Sequence, residues 1–247
     1  MKNVETIYGL HAVRSLLARQ PQRVIAVRVA SSRDDPRGRE IEDLARKSGR
    51  PVQRVDARSL AQALGDVSHQ GVAADIEPLA PWNEDDLLTA LQTAVNPLIL
   101  VLDGVQDPHN LGACLRTADA CGALAVVVPK DRAAQLNATA RKVAVGAAET
   151  TPVVAVTNIV RTLKLLKEAG LWVVGADADG PKFAYEADLK GGTVLVLGAE
   201  GAGMRQLTQQ TCDFVVRLPN LGAVESLNVS VAAGMLLYEA VRQRTRG

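Results

Sequence analysis

The sequence predicts an α/β protein in two parts, a small basic α/β unit followed by an open, mostly parallel α/β sheet. Three observations predict it. The 247 residues are 47% hydrophobic, enough to bury one large core or two modest ones, which excludes a chain disordered by default. Beyond residue 97, short apolar runs alternate with segments of helical spacing. Residues 1–65 hold 13 Lys or Arg against 7 Asp or Glu, a net +6 that the near-neutral total of +1 conceals.

From the N-terminus, Gly9 to Gln20 has the apolar spacing of a helix, and Arg23 to Ala30 alternates basic and apolar residues as a strand does. Arg37 to Gly49 returns to helix, and Gly71 to Glu77 reads as a closing strand. The stretch PLAPWNEDDLLTALQTAVNP then holds three prolines and an acidic helix, as a linker with one packed element would. The expected organisation is therefore residues 1–77, a linker over 78–96, and a second domain over 97–247. In that domain PLILVLD, ALAVVVP, TPVVAV, LWVVGAD, TVLVLG and DFVVRLP are apolar on both faces, which predicts a parallel sheet covered on each side. Segments 158–170 and 227–242 have the spacing to supply helical cover. Ligands of such sheets bind beyond the carboxyl ends of the strands, so the residues ending these runs are the ones to read for chemistry.

Composition narrows the function. No apolar run reaches the roughly 20 residues that span a bilayer, and MKNVETIYGLHAV lacks a basic segment followed by an apolar stretch, so a soluble cytoplasmic protein is expected. Cys114, Cys121 and Cys212 lie in apolar surroundings without CxxC spacing, which predicts buried reduced thiols rather than disulfides or zinc. The basic first part suits a polyanion, since each neutralised phosphate releases counterions, although solvated helices give the same charge count. Tyr8 is the only aromatic residue before Trp82, which disfavours base stacking on an aromatic sheet and favours arginine contacts to RNA backbone. Arg14, Arg19, Arg23 and Arg28 are the candidates there. His11 and His69 read as packing or RNA-contact residues, and His109 as a loop residue beside a helix start.

Three strand ends carry unusual residues. In LDGVQDPHNLGACLRTA, Asp103 to Asn110 reads as a loop, Asn110 as a helix N-cap and Arg116 as a side chain projected by that helix; a cap and a surface arginine is the plain reading. In VLVLGAEGAGMRQL, Gly198, Gly201 and Gly203 let backbone approach a ligand, with Glu200 between them. GAEGAG fits neither GxGxxG nor GxxxxGK[ST], and its carboxylate would repel phosphate, so a cationic or neutral ligand suits it better. In RLPNLGAVESLNVSVAAGML, Ser226 is an N-cap by type, and Asn228 and Ser230 open an apolar helix, where bonding partners are expected for them. Each segment alone has an ordinary structural explanation.

Together the three resemble the DxxxDPxNxGxxxRTA, LGxExxGM and LPxxGxxxSLNVSxA motifs of the SpoU (TrmH-like) family of RNA ribose 2′-O-methyltransferases, in the family's order from Leu102 to Ala233. IYGLHAV and His69-Gln70-Gly71 are similar to the N-terminal RNA-binding domain of its ribosomal branch. Asn220 departs from the pattern, standing where relatives usually carry an apolar residue.

The resemblance implies an L30e-like α/β RNA-binding domain, a C-terminal trefoil-knot (SPOUT) methyltransferase domain and a homodimer. It implies S-adenosylmethionine as cofactor and 2′-O-methylation of a guanosine ribose in 23S rRNA, in the loop that contacts peptidyl-tRNA, on free RNA or a pre-ribosomal particle. Gly198, Gly201, Leu218, Ser226 and Leu227 match the cofactor site, and Arg116, Asn110, Glu200 and Asn228 the catalytic residues. A guanidinium that stays protonated is an awkward base, so the expected role of Arg116 is electrostatic: holding a phosphate or stabilising the developing alkoxide. A tRNA 2′-O-methyltransferase and a non-catalytic RNA-binding protein remain the alternatives, with a nucleotide-using α/β enzyme behind them for want of phosphate-loop spacing.

Overall fold

The computed structural model describes residues 4–65, 67, 69–78, 81–224 and 226–245. The other positions of the expected regions, Leu79 and Ala80 of the linker among them, lie outside it. The chain forms two compact units, residues 1–80 with 145–150, and residues 81–144 with 151–247.

The first unit runs β1 (Glu5–Tyr8), α1 (Leu10–Arg19), β2 (Val24–Ala30), α2 (Pro36–Lys47), β3 (Val52–Val55), α3 (Ala57–Leu64) and β4 (Val72–Ile76). Its sheet has the order β1-β4-β2-β3, with β4 antiparallel to both neighbours and β2 parallel to β3. Leu10, Val13, Leu16 and Leu17 recur at helical spacing and bury one face of α1 against Val27, Val29, Val72 and Ala74. Helix α2 starts on Asp35, which accepts the Gly38 amide, followed by Pro36, and ends on Arg46 and Lys47, matching both ends of the helix dipole. β1, β3 and α3 were not evident from periodicity: β1 and β3 have four residues each, and two of the four in VQRV are exposed.

Arg23 is buried in this unit. Its guanidinium donates to the Glu149 carboxylate at 3.0 Å, the Glu149 carbonyl at 2.7 Å, the Glu77 carbonyl at 3.0 Å and Gln20 at 2.9 Å. Two desolvated charges are tolerated because each has partners, and removing one takes a buried partner from the other.

The second unit runs α4 (Glu84–Leu91), β5 (Leu98–Asp103), α5 (Pro108–Ala120), β6 (Ala125–Pro129), α6 (Ala138–Ala144), β7 (Val153–Val156), α7 (Ile159–Glu168), β8 (Trp172–Ala176), β9 (Lys182–Phe183), β10 (Thr193–Gly198), α8 (Gln206–Thr211), β11 (Phe214–Arg217) and α9 (Val229–Thr245). Its seven strands have the order β7-β6-β5-β10-β8-β11-β9, and each pairing is parallel. The six apolar runs form six of these strands; β9, at two residues, is too short for a periodic signal. Every residue of β5 and β6 is buried, as expected of strands covered on both faces. Ile99, Val101 and Val127 share a cluster with Leu87 of α4 and Ile159, Leu163 and Leu166 of α7. Helices α5 and α9 pack together, and α9 also contacts β10. From β5 the chain builds outward to β6 and β7 on one side, while the later strands lie on the other. The β5–β10 boundary is thus the switch point at which a ligand crevice opens in such sheets.

Replacing Arg23 by Ala removes its buried bonds to Glu149, Glu77 and Gln20 and is expected to lower stability by at least about 1.5–3 kcal/mol. Urea melts followed by circular dichroism measure this, and a loss under 1 kcal/mol would show the pair to behave as a surface one.

Candidate active site

Three strand-end segments converge beyond the switch point. At the first, β5 ends on Asp103, Gly104 turns the chain with φ 89°, and α5 begins at Pro108. The expected loop to Asn110 is too long by one helical turn. Asp107 is the cap, its carboxylate accepting the His109 amide at 2.9 Å, and Asn110 lies inside the first turn of α5, buried. The Asp-Pro pair, a cap followed by proline at the first helical position, was the available signal. His109 is exposed in that first turn.

At the second, β10 ends on Gly198, in register with Asp103 across the parallel pairing. The loop folds back tightly: Ala199 and Gly203 exchange both backbone hydrogen bonds, at 3.1 and 2.9 Å, with Gly201 between them at φ 74°. A Cβ on Gly198 would overlap the backbone of Gly203 and Met204, so this glycine serves the fold-back itself. Asp103, 1% exposed, clamps the far end of the loop. It accepts the Arg205 amide at 3.1 Å and Nε at 2.8 Å, with a further charge-assisted bond from the same guanidinium. Neither Asp103 nor Arg205 stood out from sequence as a pair, because 102 residues separate them.

The third segment leaves β11, two strands from β10, and returns over an exposed loop in which Leu221 is 98% exposed. Helix α9 begins at Val229, so Ser226 is not its cap. Asn228 caps it instead, its Oδ1 accepting the Ser230 hydroxyl at 2.6 Å, the Ser230 amide at 2.9 Å and the Val231 amide at 3.4 Å. The Asn228 Nδ2 donates to Asn110 Oδ1 at 3.0 Å and to Glu200 Oε1 at 2.5 Å, and Glu200 also accepts the Val229 amide at 3.3 Å. The Glu200 carboxylate therefore sits on the positive end of α9.

The structure thus brings together Asn110, Glu200 and Asn228, with Gly198 and Gly201 in the loop that carries Glu200. No hydrogen bond among the described residues joins Arg116, Leu218, Ser226 or Leu227 to that cluster. Arg116 lies on the exposed face of α5, about 9 Å along the axis from Asn110, and has no ion-pair or hydrogen-bond partner among the described residues. In the first unit Arg14 and Arg19 are exposed, with Arg14 paired to Glu40 at 2.5 Å. Arg28 is held by Asp75 at 2.5 Å and Thr6 at 3.3 Å, and Arg23 is enclosed as described.

The thiols are not poised for chemistry. Burial pushes Cys114 on α5 up to about 12, and the nearby Glu200 charge adds to it. Burial likewise raises Cys121 to about 11, and burial with the Asp213 charge raises Cys212 to about 12. Cys114 is buried and the other two are half-buried. No group of three metal-binding side chains occurs among the described residues, nor a helix long and apolar enough to cross a membrane.

Comparison with known proteins places this geometry. The model described as "SpoU rRNA Methylase family" matches residues 97–238, and one described as "RNA 2'-O ribose methyltransferase substrate binding" matches residues 6–82. The chain belongs to the SpoU methylase family. It is 54% identical to the 23S rRNA (guanosine-2'-O-)-methyltransferase RlmB of Pseudomonas aeruginosa over 246 residues, covering 99% of each chain, and 50% identical to that of Photobacterium profundum, covering 97% and 98%. The SpoU methyltransferase AviRb of Streptomyces viridochromogenes, solved in complex with AdoMet, superposes with a TM-score of 0.75 at 25% identity, over 99% of this chain and 92% of that one. The A. aeolicus TrmH/SpoU tRNA modifying enzyme matches 66% of this chain and 83% of its own, with a TM-score of 0.57 at 31% identity. The second unit accordingly has the SPOUT fold of this α/β methyltransferase family, and the first is a substrate-binding domain.

Two outcomes check the site. Asn228→Ala removes the α9 cap together with the bonds to Asn110 and Glu200, and is expected to lower stability by at least about 1–2 kcal/mol in thermal or urea melts. All three thiols are expected to resist iodoacetamide at pH 8 in the folded protein and to react once it is unfolded. Raised thiol pKa values also mean that their contribution to stability is complete below the ordinary value of 9.0 and is lost as pH rises toward 11–12.

Proposed function

We propose that this protein transfers a methyl group from S-adenosylmethionine to a guanosine ribose 2′-oxygen in 23S rRNA. The observation that carries the reading is the convergence of the three family segments on Asn228, with Arg116 exposed further along α5 and without a partner among the described residues. The full-length similarity to guanosine methyltransferases and the basic first unit support 23S rRNA over tRNA as substrate. Action on ribosomal RNA is consistent with a cytoplasmic location, and the resemblance of the three motifs implies the peptidyl-tRNA-contacting loop as target.

The donor set fits the cofactor. Gly198, Gly201, Leu218, Ser226 and Leu227 offer peptide groups and one hydroxyl, without a cationic side chain among them, and Glu200 adds a carboxylate. This suits a ligand that carries a positive sulfonium rather than an anionic phosphate grip. When bound there, S-adenosylmethionine supplies an electrophilic methyl group.

The chain's own residues do the rest. Asn110 and Glu200 hold Asn228, which fixes where α9 starts and so shapes the loop carrying Ser226 and Leu227. The 2′-hydroxyl becomes a competent nucleophile as it loses its proton, and the free guanidinium of Arg116 stabilises the oxyanion or holds the neighbouring phosphate with a planar pair of donors. Arg116 does not serve as the base, because a guanidinium side chain in a protein does not give up its proton. In the first unit, Arg14 and Arg19 are the arginines of the expected set left exposed to RNA backbone, whereas Arg23 and Arg28 act within the fold.

Self-association belongs to this reading. Leu221, Val224, Val231, Met235 and Tyr238 expose apolar surface along the β11–α9 loop and one side of α9, at 98%, 61%, 47%, 49% and 59%. A second copy packed there covers apolar area that would otherwise face water.

Transfer of labelled methyl to unmodified 23S rRNA, with bulk tRNA in parallel, tests the function. The expected product is one alkali-resistant ribose in 23S rRNA, with transfer reduced about 100-fold or more in Arg116→Ala while S-adenosylmethionine still binds. Label on tRNA alone would overturn the substrate, and near-normal turnover by Arg116→Lys would overturn the planar, two-donor role.

A further inference from the structure

The first unit carries a cleft distant in sequence from the arginines of α1. It is lined by Ala30, Ser32, Arg33, Asp34, Asp35, Ala57, His69 and Gly71, and encloses about 410 Å³, within the range of about 300–1,000 Å³ typical of small-ligand sites. The hydrogen bonds around it fix the donors and acceptors that remain. The Gly71 amide donates to His69 Nδ1 at 3.0 Å, so the neutral ring carries its proton on Nε2, which is left as a donor. Asp34 Oδ1 accepts from Arg39 at 3.0 Å, while its Oδ2 has no partner among the described residues. Asp35 is occupied on both oxygens, by the Gly38 amide at 2.8 Å and by Arg33 at 3.0 Å. Arg33 Nε is buried without a partner, and its stem lies against Gly71.

Two carboxylates against one arginine make the cleft a poor seat for phosphate. An acceptor at Asp34 and a donor at His69 instead match the adjacent donor and acceptor that an unpaired base presents on its pairing edge. Outside the cleft, Arg39 and Arg58 are exposed, the latter next in sequence to Ala57 with a guanidinium that has no partner among the described residues, and can meet the flanking backbone. Resting on the RNA-methyltransferase reading above, we propose that this cleft receives one unpaired base of the substrate RNA and so gives the first unit a direct base contact.

The test uses the full-length protein, unmodified 23S rRNA transcript and filter binding across a salt series, with melting temperatures as a check on folding. Ser32→Trp fills the cleft, and His69→Ala removes the donor. Each is expected to weaken binding at least tenfold while leaving the slope of affinity against salt unchanged, because phosphate contacts remain. Of transcripts carrying 6-thioguanosine, 4-thiouridine, 5-iodocytidine or 8-azidoadenosine, one is expected to crosslink within residues 30–35 or 57–71, and the analogue that does so identifies the base. Binding by both folded variants within twofold of the unsubstituted protein would overturn the proposal, as would a reduced salt slope, which marks a lost phosphate contact, or crosslinks elsewhere. Should the unsubstituted protein methylate 23S rRNA while Ser32→Trp and His69→Ala bind normally, the cleft alone is refuted. Neither methylation nor binding by the unsubstituted protein would refute the function itself.

Discussion

Asn228 is the residue on which the rest of the site depends. Its amide group donates to α5 through Asn110 and to the β10 loop through Glu200, while its carbonyl oxygen caps α9. Both N–H groups and the oxygen are engaged, so the side chain has one satisfied orientation. A leucine or a serine there could not make all three connections: leucine has no polar atoms and serine a single hydroxyl. The polar residue that local propensity disfavours at the head of an apolar helix is thus the one that joins segments 118 and 28 residues away.

Around that junction the fold divides its tasks. The Asp103–Arg205 clamp closes the β10 loop from its far end, which keeps Glu200 where Asn228 can reach it. Desolvation makes such a clamp costly to break, since Asp103 is buried and would be left without its cation. Arg116 stands apart on the same helix as Asn110, unpaired and exposed. In the first unit Arg23 and Arg28 show the contrast, held inside the fold by Glu149 and Asp75.

Much of the fold was legible because buried parallel strands leave a strong trace: β5, β6, β7, β8, β10 and β11 each coincide with an apolar run. β1, β3 and β9 were not, being two to four residues long and too short for a period to register. Helix starts were misjudged in both directions at the site. Proline after Asp107 moved the start of α5 ahead of Asn110, and Asn228 took the cap that Ser226 suggested. The three motifs could be located by their residue types, but what joins them could not, because the bonds among Asn110, Glu200 and Asn228 form only when strands non-adjacent in sequence lie side by side. Arg23 shows the opposite limit: a basic residue opening an alternating strand looks like surface until the fold supplies a buried carboxylate for it.

Joined by a hydrogen bond of 3.0 Å, Asn110 and Asn228 are expected to act as one unit in shaping the proposed cofactor site. A double-mutant cycle on Asn110→Ala and Asn228→Ala, read by calorimetric binding of S-adenosylmethionine, measures this most directly. Coupled residues are expected to give a double variant whose loss of binding free energy departs from the sum of the single losses by about 0.5–3 kcal/mol. Losses that add within about 0.3 kcal/mol would contradict the account, showing two independent side chains where the structure shows a single junction.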